Sequence, residues 1–241
     1  MCVIFFAFRS VKTHPLILIG NRDEFYKRRS GPAEFWNDHP DIYGGRDLER
    51  GGTWLGVTRS GRFATVTNYR DPSAPRGSRS RGELAANFLR SDQSAADYLD
   101  DLVQRSGNYS GFNLLVGEIS ISRKEMFYYS NRGTGPRQLT PGIYGLSNHL
   151  LDTPWPKVVK GKDRFEELVR SGNLSDDELF SILSDATLAE DEDLPSTGLS
   201  YEAEKAVSAI FIKTPGYGTR CSTVLRFGRS AKWSFDERVF L

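Results

Sequence analysis

The chain opens on an unbroken apolar run over residues 3–8, and a second run over 16–20 follows the polar stretch 9–15. Neither run alternates as a half-exposed strand would, so both predict strands covered on two faces, joined as a hairpin. A Gly- and charge-rich connection leads to two further strands, 53–57 and 62–69, with a turn at Ser60-Gly61. A basic loop over 70–81 then precedes helices over 83–90 and 95–105. Leu84 and Phe88, and likewise Tyr98, Leu99 and Leu102, fall at the spacing of single apolar faces.

Strand patterns resume over 112–117, 125–130 and 142–146, and a helix is predicted around 155–169. Ser175-Asp176-Asp177-Glu178 reads as a capping box, with Leu179, Ile182 and Leu183 facing a core. After the acidic loop 190–193, strands are predicted over 208–213, 222–227 and 233–241. Strands first, helices in the middle and strands to finish predict an α+β layered sandwich rather than a parallel βαβ series.

The 241 residues carry a formal net charge of +1, which suits one domain spanning 1–241 and gives no generic nucleic-acid surface. Two cysteines are too few for a disulfide framework, so a reducing, cytoplasmic setting is the expectation. No stretch is long enough to span a bilayer, and the opening run lacks a signal-peptide layout. There is no phosphate-cradling glycine motif. The three histidines, His14, His39 and His149, are scattered, so no metal site is read.

Chemistry enters at Cys2. Removal of Met1 would give one residue both a thiol and a free α-amine, a nucleophile with its own base; the alternative is a small hydrophobe opening a core strand. The block Asn21-Arg22-Asp23-Glu24 ends the second apolar run, and in an extended strand Asn21 and Asp23 face one side and Arg22 and Glu24 the other. If that strand pairs with the one starting at Cys2, a cation and a carboxylate come to the N-terminus. Otherwise the block is a solvated strand end.

Cys2, Asn21-Arg22-Asp23-Glu24, Gly51 to Val57, Thr67-Asn68-Tyr69-Arg70, Ser80 to Leu84, Gly145-Leu146-Ser147-Asn148, Leu194-Pro195-Ser196-Thr197-Gly198 and Tyr217-Gly218-Thr219-Arg220 occur in that order. This set closely resembles the NRDE family, whose animal members are called transport and Golgi organisation proteins. The resemblance implies a four-layer αββα sandwich of the N-terminal-nucleophile hydrolase type. It implies roles as well: Cys2 as nucleophile and base, Arg22 beside the sulfur, Asp23 holding the amine, Asn68 and Asn148 as oxyanion donors, and Arg220 in the charge network. Asn21, Trp54, Tyr69, Arg81 and His149 are the candidate substrate-binding residues.

Arg70, Arg76, Arg79 and Arg81 make the loop before the helix at Gly82 a candidate anion site suited to acyl-CoA phosphates, although its Pro, Gly and Ser content also fits a solvated loop. Two functions follow. One is an amidohydrolase or acyltransferase acting through Cys2 on a small acylated amide or thioester. The other, drawn from the family's associations, is a non-catalytic haem or acyl-CoA/lipid binding and trafficking protein. His149 is the axial candidate if haem is the ligand.

Overall fold

The computed structural model describes residues 2–240. β1 (Cys2–Val11) and β2 (His14–Phe25) form the expected antiparallel hairpin, in a register that sets Cys2 opposite Arg22 and Phe8 opposite Leu16. Ile4, Phe6, Phe8, Leu16 and Leu18 enter one apolar layer, while Val3, Phe5, Ala7, Ile17 and Ile19 enter another. Alternation along each strand thus divides one continuous apolar run between two cores.

The segment expected as a connection is instead two strands, β3 (Ser30–Trp36) and β4 (His39–Asp47). β3 is a sheet edge with most side chains at least partly exposed, so it carries no apolar run to announce it. β5 (Leu55–Thr58) and β6 (Arg62–Asn68) follow; Thr53 and Trp54, expected inside β5, lie just before it. α1 (Gly82–Arg90) and α2 (Ala95–Arg105) come next, then β7 (Phe112–Ile119), β8 (Lys124–Ser130) and β9 (Arg137–Gln138). The resulting antiparallel sheet runs β3-β4-β5-β6-β7-β8-β9.

β10 (Gly142–Leu146) crosses to the other sheet and pairs with β1. α3 (Pro156–Ser171), α4 (Asp176–Leu183) and α5 (Tyr201–Ala206) precede β11 (Lys213–Thr214), β12 (Tyr217–Phe227) and β13 (Trp233–Val239). The Ser175 hydroxyl caps α4 on the Glu178 amide as its sequence predicts. The strand expected over 208–213 shrinks to β11. Ala209, Ile210 and Ile212 are buried, but Asn21 takes the Ile210 carbonyl and the Thr219 hydroxyl takes the Ile212 N–H, so no ladder forms there. β12 starts five residues before the predicted 222. The final strand stops at Val239, and the end predicted at Leu241 lies outside the described residues.

This sheet runs β10-β1-β2-β12-β11, with β13 also on β12. α1 and α2 cover the outer face of the seven-stranded sheet through Leu84, Phe88, Tyr98, Leu99 and Leu102. Phe165, Leu179, Ile182 and Leu183 of α3 and α4 cover the outer face of the other. Between the sheets lies the apolar layer holding Phe6, Leu18, Phe63, Leu115 and Phe227. The layer order is the expected αββα. Among the described residues no helix is long and apolar enough to cross a membrane.

Candidate active site

The first residue of β1, the end of β2 and the end of β6 meet at one rim of the sandwich, beside the start of α1. They border a cleft of about 340 Å³ whose lining includes Cys2, Arg22, Asp23, Trp54, Asn68 and Arg81. Cys2 is half-buried there, and the Ser147 hydroxyl donates to its carbonyl at 3.0 Å, fixing the backbone under the thiol. Burial pushes the thiol pKa up and the Asp23 carboxylate adds to this, while the Asp23 backbone N–H and the Arg22 guanidinium pull it down. The balance favours a protonated thiol. Cys221 is only 4 % exposed, and burial followed by Glu237 holds its thiol well above the ordinary value.

Register explains how the neighbours arrive. Arg22 stands opposite Cys2 on one side and Cys221 on the other. Its guanidinium lies 4.3 Å from the centre of the Trp54 ring and donates to the Ser30 hydroxyl at 3.2 Å. A bulge in β12 between Thr219 and Cys221 sets Thr219 opposite Asp23, and the Thr219 hydroxyl donates to Asp23 Oδ1 at 2.8 Å. Burial pushes the Asp23 carboxyl up; the charge of Lys157, the Thr219 hydrogen bond and Arg22 oppose it. Arg220, the bulged residue, donates to the carbonyls of Phe25, Tyr26 and Arg28 and so fixes the turn that leaves β2.

Asn68 and Asn148 have separate surroundings. The Asn68 side chain borders the cleft and has no hydrogen-bond partner among the described residues, so its amide is available to an oxyanion. Asn148 is fully buried; its Nδ2 donates to the Asn68 carbonyl at 3.0 Å, and its own carbonyl accepts the Arg70 N–H at 2.7 Å. It orients the end of β6 rather than lining the cleft. Around it Thr67 donates to the Ser147 carbonyl, Asn113 to Thr67 and to the His149 carbonyl, and Tyr128 to Asn113. These buried groups satisfy one another and tie the two sheets together at the rim beside the cleft.

The remaining candidates divide. Trp54 and Arg81 border the cleft, and Arg81 donates to the Gly111 carbonyl at 3.2 Å. The loop that carries Arg81 is exposed along much of its length, as a solvated loop is expected to be, and is tethered at a few points: Gly77 donates to the Ser110 hydroxyl, and Arg79 pairs with Glu83 and bridges to Tyr109. Tyr69 and His149 are not among the cleft's lining residues; they bond each other at 2.7 Å. The second nitrogen of His149 meets Thr153 at 2.9 Å, so the ring offers no nitrogen free for a haem iron. Asn21 points to the helical layer, where Nδ2 donates to the carbonyls of Leu183 and Ile210 and Oδ1 accepts from Ser222. No cluster of three or more His, Cys, Asp or Glu side chains suited to a metal occurs among the described residues.

Residues that sequence reasoning passed over include Ser147, Thr219 and Lys157. Lys157 starts α3 with its ammonium buried, and its charge acts on Asp23. Ser147 and Thr219 stood inside quoted motifs without a role; Lys157 carried no signal, because a lysine in a helix's first turn ordinarily lies in solvent.

Residues 1–241 match the Transport and Golgi organisation 2 family along the whole chain. A human relative, Transport and Golgi organization protein 2 homolog, is 40% identical over 258 residues, covering 100% of this chain and 94% of the relative. The Drosophila melanogaster Transport and Golgi organization protein 2 is 30% identical, with 99% and 92% covered. Among solved structures, the N-acylethanolamine-hydrolyzing acid amidase ortholog of Caenorhabditis elegans superposes with a TM-score of 0.54 at 12% identity, over 95% of this chain and 93% of that one. The fold is therefore the αββα sandwich of the N-terminal-nucleophile hydrolases, and by sequence along its full length the chain belongs to the Transport and Golgi organisation 2 family.

Proposed function

We propose that the chain, once Met1 is removed, is an N-terminal-cysteine hydrolase or acyltransferase acting on a small acylated amide or thioester. The supporting observation is the convergence of Cys2, Arg22, Asp23 and Asn68 on one cleft from three different strands. In the proposed reaction the α-amine of Cys2 accepts the thiol proton as sulfur bonds to the acyl carbon. The carbonyl electrons move to oxygen, beside the Asn68 amide. Collapse breaks the bond to the leaving nitrogen or sulfur, which takes the proton from the ammonium. Water then adds to the acyl-enzyme and gives a proton to the amine; the C–S bond breaks, and the sulfur regains the proton as the acid leaves. A second nucleophile in place of water makes the reaction an acyl transfer.

The raised thiol makes the amine's part necessary, since little thiolate exists at neutral pH without it. The worm fold neighbour is named for hydrolysis of N-acylethanolamines, which makes simple N-acyl amides the first panel to try. Cys2→Ala is expected to abolish turnover of N-acyl amides and thioesters with folding intact, and Arg22→Ala and Asp23→Ala to slow it, with losses that need not add. A second reading, an acyl-CoA carrier, is favoured by the arginines that line the cleft, among them Arg50, Arg76 and Arg81. Turnover absent across the whole panel, together with Cys2→Ala binding acyl-CoA as tightly as the wild type, would replace the hydrolase by the carrier.

A further inference from the structure

Alternation places the Cys2 side chain on the face of β1 that carries Ile4, Phe6 and Phe8, the face turned to the layer between the sheets. The matching face of β2 carries Leu16, Leu18 and then Gly20, so one inward side chain is missing beside the nucleophile. Gly20 stands opposite Ile4 on one side and Thr223 on the other. A glycine inside a strand marks a place where another backbone or a ligand comes close. A Cβ there would stand 3.0 Å from the Val3 carbonyl oxygen and 3.2 Å from Ile4 Cγ1, so any side chain at this position would crowd the space beside Ile4. In that space a narrow slot of about 10 Å³ opens between the two sheets, bordered by Cys2, Ile4, Leu18, Leu55, Val66 and Trp54 among others.

Cys2, Arg22, Trp54 and Val66 border both this slot and the arginine-lined cleft, so the nucleophile stands where two spaces of opposite character meet. The Trp54 ring is fixed between them: the Arg22 guanidinium lies over it at 4.3 Å, and a Cβ at Gly45 would overlap it. The cleft is wide, at about 340 Å³, and carries Arg50, Arg76 and Arg81, so it suits the polar part of a substrate. The slot is walled mainly by aliphatic and aromatic side chains and has room for about one water-sized sphere, which is also the size of a methyl group. A charged group placed there would lose its hydrogen bonds, whereas a methyl group loses none.

We propose that the slot is the acyl subsite of the Cys2 centre and that it takes an acetyl-sized group, so the substrate is a short-acyl amide or thioester whose leaving group stays in the cleft. The substrate class rests on the hydrolase reading; the slot and its size do not. With the acyl carbon at the Cys2 sulfur, the first carbon beyond the carbonyl enters the slot. Each further carbon has to displace Ile4, Leu18 or Leu55, which are packed into the apolar layer between the sheets. Leu18 and Leu55 come from opposite sheets, so the length limit is set by how closely the two sheets approach at this end of the sandwich.

The test uses para-nitrophenyl acetate, butyrate and hexanoate on the full-length protein. These activated esters acylate a thiol without amidase machinery: sulfur bonds the acyl carbon, nitrophenolate leaves with the electron pair of its C–O bond, and the thiol proton passes to the buffer. The rate at Cys2 is the nitrophenolate release minus that of Cys2→Ala, divided by the rate of the same ester with free cysteine. Acetate is expected to react at least about tenfold faster than hexanoate. In Leu18→Ala, which widens the slot, that ratio is expected to fall toward one. Should Leu18→Ala not fold, Ile4→Val takes a single methyl group from the wall and is expected to narrow the gap between acetate and butyrate by about tenfold. Equal rates along the series in the wild type, a preference for hexanoate, or a folded widened variant that keeps the wild-type ratio each overturn the proposal. A length preference in a protein that turns over no amide or thioester removes the hydrolase and keeps the slot, whereas turnover with no length preference does the reverse.

Discussion

Asn21 and Arg22 are neighbours in one motif and serve opposite faces of one strand. The Asn21 amide spends all its hydrogen bonds on Leu183, Ile210 and Ser222 in the helical layer, while Arg22 stands over Trp54 at the cleft. Asn21→Ala would leave buried carbonyls and a hydroxyl without partners and is expected to cost about 2–4 kcal/mol in urea unfolding. The alkylation rate of Cys2 in the variant, measured well below its melting temperature, is expected to stay at the wild-type value; a large fall there would place Asn21 in the site after all. The alternation that separates these two residues is legible in the chain. The anchoring of Asn21 is not, because its partners lie far along the sequence. His149 gives a second residue-scale outcome. Burial lowers its pKa below the ordinary 6.5, so the unfolded chain binds the extra proton first and stability is lost as pH falls below about 6.5. Melts between pH 7.5 and 5.5 are expected to show a steeper loss in the wild type than in His149→Gln, and equal slopes would refute this assignment.

At the scale of elements, the site depends on how the loop after β4 meets the start of α1. Thr53 donates its N–H to the Gly82 carbonyl at 3.0 Å, and a Cβ at Gly52 would stand 2.4 Å from the Gly82 carbonyl carbon, where only backbone could yield. Gly52→Ala is therefore expected to cost about 1–3 kcal/mol and to slow Cys2 alkylation by moving Arg81. Gly51, at φ +70 with open space around it, faces only the left-handed penalty, so Gly51→Ala is expected to lose about 1 kcal/mol with Cys2 untouched. Equal behaviour of the two variants in both assays would contradict this account. The glycine pair was legible as a turn or close approach, but which glycine does which depends on a helix about thirty residues away. β3 and β4 escaped the sequence because their charged, glycine-bearing pattern looks like a loop, and α5 escaped because six residues hold too little periodicity.

Across the whole molecule, buried strands at both ends of the chain with helices between them were enough to predict layers, and the ordered motifs were enough to predict which layered fold. Strand order was not legible: nothing local to β12 says that it lies beside β2, although that placement brings Thr219 to Asp23. The polar lattice around Asn113 and Asn148 was equally hidden, since each partner belongs to a different element. What the fold produces is a rim where the Cys2 thiol, the Arg22 guanidinium, the Asp23 carboxylate and the Asn68 amide converge. The most direct measurement of that claim is the mass of the N-terminal peptide from native protein, quenched in acid after brief exposure to N-acyl amides and thioesters. The peptide is predicted to begin at Cys2 and to carry the acyl group, with no adduct in Cys2→Ala. Met1 retained throughout the preparation, or an acyl group found on no N-terminal peptide with any member of the panel, would contradict it.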